Sequence, residues 1–158
     1  MPKLKIRKAR KRDCRAMFQW LNDPGTRNSR FSSVRVTFPA HKKWFYKSLD
    51  EAKRKIYVAV NDEGSLVGQV RMDEVNDRAY ELDITVSPDY RGHGYGTEMI
   101  RLISSKMLNR MSSVLFLARI KEFNAPSVRS FCKAGFIKIF NYFTNSNDKV
   151  GVWVKWSE

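Results

Sequence analysis

The chain has 158 residues, 42% of them hydrophobic, and its 30 Lys and Arg against 16 Asp and Glu give a formal net charge of +14. This length favours a single domain spanning residues 1–158, and the apolar share excludes a chain that is disordered throughout. No run of about 18 apolar residues exists, which excludes a transmembrane helix, and no apolar segment follows the basic N-terminus as a secretory signal would require.

The N-terminal third predicts one strand and two helices. Residues 4–7 alternate apolar and charged side chains, which is typical of a half-buried strand. Asp13 is placed to cap a helix over residues 14–21, and the turn-forming residues 22–25 end it. A loop then leads to a second helix near residues 39–49, whose buried stripe we expect to be Trp44, Phe45 and Leu49. This segment also holds much of the charge, because eight of the first 15 residues are basic and one is acidic.

The middle of the chain predicts three strands joined by short turns. They cover residues 56–60, 66–72 and 80–86, and an Asn-Asp-Glu-Gly turn joins the first two. Strands connected in this way form an antiparallel meander.

The last part predicts a parallel crossover and then a hairpin. An amphipathic helix precedes an unbroken apolar run at residues 114–118, which indicates a strand covered on both faces. A further helix opens at Ala125 and is closed by Gly135, and strands at 136–143 and 150–156 follow. The predicted order is βααβββαβαββ, a mixed α/β sheet.

A glycine-rich loop, Tyr90-Arg91-Gly92-His93-Gly94-Tyr95-Gly96, joins the third meander strand to the amphipathic helix. Alternate glycines let the backbone approach a ligand, and the helix N-terminus adds unpaired N–H groups and a positive dipole end. Together they predict a site for an anion such as phosphate. The spacing matches neither the dinucleotide fingerprint G-x-G-x-x-G nor the P-loop, which needs a Lys after its last glycine.

This loop resembles the acetyl-CoA loop of the GNAT superfamily of N-acetyltransferases, whose signature is Arg/Gln-x-x-Gly-x-Gly/Ala. A second GNAT pattern, an Asn followed by a helix that ends Lys-x-Gly-Phe, matches Asn124 through Phe136. The resemblance covers the whole chain. It implies a GNAT-type, mostly antiparallel sheet with helices on both faces.

The resemblance also implies acetyl-CoA as co-substrate and no metal. The pyrophosphate would bind the loop N–H groups, and the pantetheine arm would pair with the third meander strand, in a splay between that strand and residues 114–118. The cofactor-binding residues so implied are Ile84, Thr85, Val86, Arg91, Gly92, His93, Gly94, Tyr95, Gly96, Thr97, Asn124 and Phe131.

Catalysis requires a group that takes the proton of the attacking amine. Glu81 and Asp83 lie two apart on a predicted strand, so both face one side. That side is either a solvated sheet face or a polar cleft in which one carboxylate acts as general base, with Glu81 the first candidate. Many GNAT members place a Tyr general acid where this chain has Phe131. We expect solvent to protonate the thiolate instead.

The acceptor is predicted from a weaker resemblance. Trp20, Asn22, Asp23, His41 and Trp44 resemble a pattern in GNAT enzymes that acetylate nucleotide-linked amino sugars. The candidate substrate-binding residues are Asn22, Arg27, His41 and Asp73. The partner is then a small-molecule amine, which an anionic group would suit because of the net charge of +14.

Other readings stay open beside this one. Acetylation of a protein N-terminus or of another small amine fits the same chemistry. A basic nucleic-acid-binding module is disfavoured, because its candidate stacking residues Tyr142, Phe143, Trp153 and Trp156 alternate on the terminal hairpin, where core packing is expected. The resemblance leaves a homodimer open. Cys14 and Cys132 predict neither a disulfide framework nor a metal pair, so we expect a cytoplasmic protein.

Overall fold

The computed structural model describes residues 2–158 and shows one seven-stranded sheet in the order β1-β2-β3-β4-β5-β7-β6. All neighbouring strands are antiparallel except β4 and β5, which are parallel. The strands are β1 (Leu4–Lys8), β2 (Arg54–Asn61), β3 (Leu66–Asn76), β4 (Ala79–Val86), β5 (Val114–Lys121), β6 (Ile137–Phe143) and β7 (Lys149–Ser157). The predicted mixed, mostly antiparallel α/β sheet is confirmed.

Helices cover both faces of the sheet. Their bounds are α1 (Cys14–Asn22), α2 (Pro24–Ser29), α3 (Phe38–Asp50), α4 (Tyr95–Leu108) and α5 (Ala125–Lys133). The strand pleat divides the core accordingly. On β2, Tyr57 and Ala59 belong to the cluster under α4, while Ile56 and Val58 belong to the cluster under α1 and α3.

Helix α2 departs from the predicted order, which had a loop there. The Asp23 side chain accepts a hydrogen bond from the backbone N–H of Thr26, and Pro24 occupies the first turn. An Asp N-cap followed by Pro favours helix initiation, so the residues that end α1 also begin α2.

Asp13 is predicted to cap α1, and it does occupy the N-cap position, but its side chain makes no capping hydrogen bond to the helix. Its carboxylate accepts hydrogen bonds from the Arg7 guanidinium at 2.8 and 2.9 Å and from the Arg10 backbone N–H at 2.7 Å. These contacts join β1 to the turn before α1. A buried carboxylate needs a cation more than a helix N-terminus needs a cap, and Arg7 lies within reach.

The buried stripe of α3 also differs from the prediction. His41, Phe45 and Ser48 are buried, whereas Trp44 is 38% exposed and Leu49 is half-buried. Spacings of four and three residues place His41, Phe45 and Ser48 on one helix face, and Trp44 lies at the edge of that face.

Strand β5 is buried more strongly on one face than on the other, contrary to the prediction from its apolar run. Val114, Phe116 and Ala118 are buried, but Leu115 and Leu117 are only half-buried. The predicted splay is present: β4 and β5 pair from Ala79–Leu115 to Glu81–Leu117, and pairing ends there. The edge of β4 from Leu82 to Val86 therefore faces a gap in the sheet.

The aromatic residues of the last hairpin do not all pack in the core. Trp153 packs against the cluster under α4, but Phe143 is 63% exposed and Trp156 is 53% exposed. The prediction of core packing is wrong for these two residues, because no helix covers the far end of the sheet at their positions.

Candidate active site

A cavity of about 630 Å³ lies between α2, the start of α4 and the start of α5, and we call it the glycine-loop cavity. Its walls include Arg91, the backbone of Gly92 and Gly94, and the first turn of α4. The gap beside β4 opens into it, since Ile84, Thr85 and Val86 also line this cavity.

The N-terminus of α4 points donors at this cavity. Gly94 is the N-cap residue, has a φ of +81°, and contributes no side-chain hydrogen bond to the helix. The first-turn N–H groups are therefore free to bind an anion. Gly96 brings α4 close to α5, since a Cβ at this position would lie 2.9 Å from the Ser130 hydroxyl.

The charged side chains around the glycine-loop cavity are all basic among the residues described: Arg91, Arg129 and Lys133. Arg91 is held in place, because its Nη2 donates to Asp23 at 2.8 Å and to the Thr26 hydroxyl at 3.0 Å. Burial raises the pKa of Asp23, but the bonds from Arg91 and from the Thr26 N–H outweigh it and lower the pKa overall. This contact fastens α2 to the glycine loop.

A second cavity, of about 500 Å³, adjoins the first and shares Ile84, Thr85 and Asn124 with it. We call it the carboxylate cavity, because Glu81 and Asp83 project into it from β4. Its remaining walls include the aromatic side chains of Trp20, Phe31, Trp44 and Phe131.

Glu81 is engaged with a neighbouring arginine. Arg119 on β5 donates to both carboxylate oxygens of Glu81, at 2.6 and 3.1 Å. The ring of Phe31, from the loop after α2, lies 4.9 Å from the Arg119 guanidinium. This bidentate contact gives both carboxylate oxygens of Glu81 a cationic partner.

Asp83 is much less engaged. Its nearest cation is Arg71, at 3.9 Å, and Arg71 donates its Nε–H to Asp73 at 3.1 Å instead. The Asp83 side chain is 53% accessible, and the surface it exposes is cavity wall. The cavity walls around this side chain desolvate its carboxylate and so raise the pKa of Asp83; the nearby Arg71 opposes this, and the charges of Glu81 and Asp73 add to it. Such a carboxylate is better suited than Glu81 to accept a proton from an amine.

His41 and Phe131 line the same cavity from opposite sides. His41 is 3% exposed, and neither of its ring nitrogens has a hydrogen-bond partner among residues 2–158. Burial lowers the pKa of His41. The nearby Cys14 backbone opposes this lowering only in part, so the ring is neutral at pH 7. Phe131 is buried and packs edge-to-face on Phe136, with ring centroids 4.9 Å apart.

The family model described as "Acetyltransferase (GNAT) domain" matches residues 3–137. The chain belongs to the GNAT acetyltransferase family. This confirms the resemblance seen in the glycine loop, and with it the prediction of an acetyl-CoA-dependent N-acetyltransferase at the level of the family.

One curated GNAT relative is streptothricin acetyltransferase from Streptomyces lavendulae. It is 30% identical over 89 residues, which cover 55% of this chain and 47% of the relative. The matched segment thus spans about half the length of that relative.

Two solved structures share the fold. Spermidine N-acetyltransferase from Vibrio cholerae, in complex with CoA and spermine, superposes with a TM-score of 0.86 at 16% identity, covering 97% of this chain and 95% of that one. An aminoglycoside acetyltransferase in complex with coenzyme A and kanamycin gives a TM-score of 0.82 at 17% identity, with coverage of 97% and 94%. At these identities the likeness shows the GNAT fold.

Most of the implied cofactor residues lie together in this GNAT domain. Ten line the glycine-loop cavity: Ile84, Thr85, Val86, Arg91, Gly92, Gly94, Tyr95, Gly96, Thr97 and Asn124. Phe131 lines the adjoining carboxylate cavity. His93 is not among the lining residues and turns its ring toward the Tyr90 carbonyl, 3.4 Å away. Asn124 also caps α5 by accepting from the Ser127 N–H.

The four candidate acceptor-binding residues do not lie together in one cavity. His41 lines the carboxylate cavity, but Asn22, Arg27 and Asp73 line neither cavity. Asn22 instead exchanges two hydrogen bonds with the Val36 backbone, at 2.9 and 3.1 Å, and so anchors the loop before α3. Asp73 pairs with Arg54 at 2.6 Å and with Arg71.

Sequence reasoning missed two arginines of the carboxylate cavity, namely Arg71 and Arg119. Arg71 and Arg119 could have been found, since each occupies an outward position in an apolar strand, beside the candidate carboxylates. The third arginine of this cavity, Arg30, lies in the segment predicted to be a loop, for which the sequence leaves two interpretations open, a solvated charge or a partner of a diphosphate.

No helix within residues 2–158 is long and apolar enough to cross a membrane. In the same residues no group of three His, Cys, Asp or Glu side chains is arranged to hold a metal ion.

Proposed function

We propose that this GNAT protein transfers the acetyl group of acetyl-CoA to the primary amine of a nucleotide-linked amino sugar, with Asp83 as general base. The observation that supports the reaction is the adjacency of the two cavities. One offers unpaired helix N–H groups and three basic side chains, and the other offers a weakly paired carboxylate at the β4 gap.

Acetyl-CoA supplies an activated thioester and carries phosphate groups that need cationic or N–H partners. The N–H groups of Tyr95, Gly96 and Thr97 begin α4 and suit a pyrophosphate, and Arg129 and Lys133 add positive charge. The free edge of β4 from Leu82 to Val86 offers main-chain groups to an extended amide chain. The residues present therefore fit this co-substrate.

Asp83 would remove the proton of the acceptor ammonium group. Its raised pKa brings it closer to that of an amine, and its position two residues before Thr85 places it at the junction of the cavities. Backbone N–H groups on the open edge of β4 would polarise the carbonyl under attack. Glu81, fixed by Arg119, would help to shape the acceptor site rather than move protons.

The side chain of Phe131 has no ionisable proton, so it cannot act as the acid that protonates the leaving thiolate. A thiol with a pKa of about 8.5 leaves its thiolate only about 2 kcal/mol above the protonated form at pH 7. Solvent entering the glycine-loop cavity is a sufficient proton source.

The acceptor assignment rests on Arg30. This side chain lines the carboxylate cavity, its Nε is buried without a hydrogen-bond partner, and it has no ion pair among residues 2–158. Burial lowers the pKa of Arg30, the charge of Arg27 adds to this, and the charge of Asp83 opposes it. A diphosphate would satisfy such a guanidinium. A polycationic acceptor would instead meet three arginines against two carboxylates.

A thiol-release assay would test the acceptor. The panel is a nucleotide-linked amino sugar, the same amino sugar without the nucleotide, spermidine, kanamycin and a short peptide. We expect the nucleotide-linked sugar to have the highest kcat/KM. We expect Arg30→Ala to lower that value about 10- to 100-fold, as for loss of a charge-assisted hydrogen bond. Arg27→Ala, a nearby arginine that lines neither cavity, is the control and should have a smaller effect.

Higher activity on spermidine, kanamycin or the peptide would refute the nucleotide-sugar proposal and leave acetyl transfer in place. Failure of coenzyme A to raise the melting temperature at millimolar concentration would refute the whole proposal.

A further inference from the structure

Helix α2 lines both cavities, yet no core packing holds it there. Thr26 and Ser29 are lining residues of the glycine-loop cavity and of the carboxylate cavity, and none of the residues of α2 is buried. A helix of this length has little stability of its own. The position of α2 is therefore set by polar contacts at its two ends.

The N-terminal end of α2 is held by an ion pair open to solvent. The Arg91 side chain is 42% exposed, and that of its partner Asp23 is 21% exposed. Such a pair contributes little to stability and is screened by salt. It fastens α2 to the glycine loop but does not fix the other end of the helix.

The C-terminal end of α2 is held by a lysine from the sheet. Lys121, on β5, donates to the Asn28 carbonyl at 3.4 Å and pairs with Asp148 at 3.1 Å. Asp148 lies in the turn between β6 and β7, where its backbone N–H donates to the Thr144 hydroxyl at 3.1 Å. Carbonyl groups in the last turn of a helix favour a cation. One ammonium group thus joins α2, β5 and the last hairpin.

Burial distinguishes Lys121 from the other cations of the chain. It is 6% exposed, and no other Lys or Arg within residues 2–158 is buried. A buried ammonium group is costly unless it is paired, and its contacts are screened much less by salt than those at the surface. The C-terminal anchor of α2 is therefore the firmer of the two.

This anchor leads directly into the wall of the carboxylate cavity. Arg30 and Phe31 follow α2 in the chain, and both line that cavity. The Phe31 ring lies 4.9 Å from the guanidinium of Arg119, which precedes Lys121 by two residues and so lies on the same face of β5. Two neighbouring cations of β5 thus determine where residues 28–31 lie over the sheet.

We propose that Lys121 is a positioning residue for acetyl transfer, with Asp148 as its counter-ion. By fixing the C-terminal end of α2, it holds Arg30 and Phe31 in the wall of the acceptor site. The inference rests on the assignment of the carboxylate cavity as the acceptor site in the proposed function, and it applies to any amine acceptor.

Replacement of Lys121 by Met tests the anchor. Met keeps an unbranched apolar side chain in the buried position and removes the ammonium group. Lys138→Met is the matched control, because Lys138 pairs with Glu122 at 2.9 Å, belongs to the last hairpin and lines neither cavity. Acetyl transfer is measured with the amine that gives the highest kcat/KM in the thiol-release panel.

The two substrates should respond differently. In Lys121→Met, kcat/KM for the acceptor should fall about 10- to 100-fold, which is the scale of a displacement of about 1 Å in a group that positions a substrate. The KM for acetyl-CoA and the thermal shift with coenzyme A should be nearly unchanged, since the start of α4 and Arg91 are intact. Lys138→Met should leave both substrates unaffected.

Hydrogen exchange of α2 in the ligand-free protein measures the anchor directly. The backbone N–H groups of Arg27 and Arg30 donate to the carbonyls of Asp23 and Thr26, at 2.9 and 3.1 Å. Both amides should exchange about tenfold faster in Lys121→Met and at the wild-type rate in Lys138→Met. Because exchange needs no acceptor, a failure of the anchor is distinguishable from a failure of the proposed function, which would appear as no thiol release by the wild type.

Asp148→Asn tests the same anchor if Lys121→Met does not fold. The Asp148 side chain is 31% exposed, so we expect the fold to tolerate loss of its charge and the same pattern to appear at a smaller size.

Three results would overturn the proposal. Equal losses for acetyl-CoA and for the acceptor would show that Lys121 supports the fold alone. Wild-type acceptor kinetics or wild-type exchange of α2 in the folded Lys121→Met, or in Asp148→Asn where only that variant folds, would show that the anchor does not position the acceptor wall. Effects of the same size in Lys138→Met would show that any lysine of this hairpin matters equally.

Discussion

The two cavities differ in how they present charge. The glycine-loop cavity uses backbone N–H groups and basic side chains, with no carboxylate among its described lining residues. The carboxylate cavity contains both signs: Glu81 and Arg119 pair with each other, and Arg71 pairs with Asp73, which lies outside the cavity lining. The first arrangement binds one kind of ligand, a polyphosphate. The second leaves Asp83 and Arg30 as its weakly paired groups, and these determine what it can do.

The largest effect is expected when Asp83→Asn is compared with Glu81→Gln. We expect Asp83→Asn to lower kcat by about 10²- to 10⁴-fold, as for loss of a general base, with little change in the KM for acetyl-CoA. Glu81→Gln should mainly raise the KM for the acceptor, because it releases Arg119. Steady-state kinetics of both variants measures this. A larger kcat loss in Glu81→Gln would make Glu81 the base.

A second test moves to the glycine-loop cavity and replaces Gly94 by Glu. The change puts a negative charge at the N-terminus of α4 and a side chain at a φ of +81°. We expect about a hundredfold or greater loss of coenzyme A affinity by calorimetry, which is close to 3 kcal/mol. Gly64→Glu is the matched control, since Gly64 has a φ of +84°, open space around it and a position in the β2–β3 turn, away from both cavities. Equal losses in both variants would show that backbone strain alone is responsible.

The pH dependence of Asp83 gives a third test. Its pKa is raised, so kcat/KM should fall as pH drops through that pKa, and Asp83→Asn should lack this acidic limb. Stability changes with pH in the opposite direction to kcat/KM. Because the folded state holds the Asp83 proton more tightly than the unfolded chain does, ionisation of Asp83 lowers the free energy of unfolding as pH rises above about 4. Asp83→Asn should therefore melt at a higher temperature than wild type at pH 7. A lower melting temperature for Asp83→Asn than for the wild type at pH 7 would contradict the raised pKa of Asp83.

The smallest expected effect concerns the contact between α2 and the glycine loop. Asp23→Asn keeps a good helix cap but removes the negative charge beside Arg91. We expect the KM for acetyl-CoA to fall about threefold at low salt, which is the scale of an exposed ion pair. Asp23→Ala is the comparison and should also lose about 1 kcal/mol of stability with the cap. A higher KM in Asp23→Asn would show that the pair orients Arg91 rather than neutralising it.

The glycine-loop cavity could be predicted from the sequence because it consists of consecutive residues. The spacing of Gly92, Gly94 and Gly96 and the start of α4 are local, and most of the residues that the resemblance implied line one cavity. The carboxylate cavity comes from β4, β5, α1, α3 and the loop after α2. Its key pairs, such as Arg119 with Glu81, are 38 residues apart in sequence, and no local pattern connects them.

The errors have a common physical origin in competition for partners. Asn22 was expected to contact substrate, but two open backbone groups of Val36 lie within its reach. Asp13 binds Arg7 rather than capping α1. In each case a polar side chain that can make several kinds of hydrogen bond binds a group brought close by the tertiary fold. The local sequence does not show which group that will be.

The parting of β4 and β5 after Glu81–Leu117 has a consequence for the ligand-free protein. The edge of β4 from Leu82 to Val86 has no strand partner, while the pairing up to Glu81 closes the gap at one end. An unpaired edge is a template for pairing with another chain, so an extended amide chain bound there would also cover a potential aggregation site.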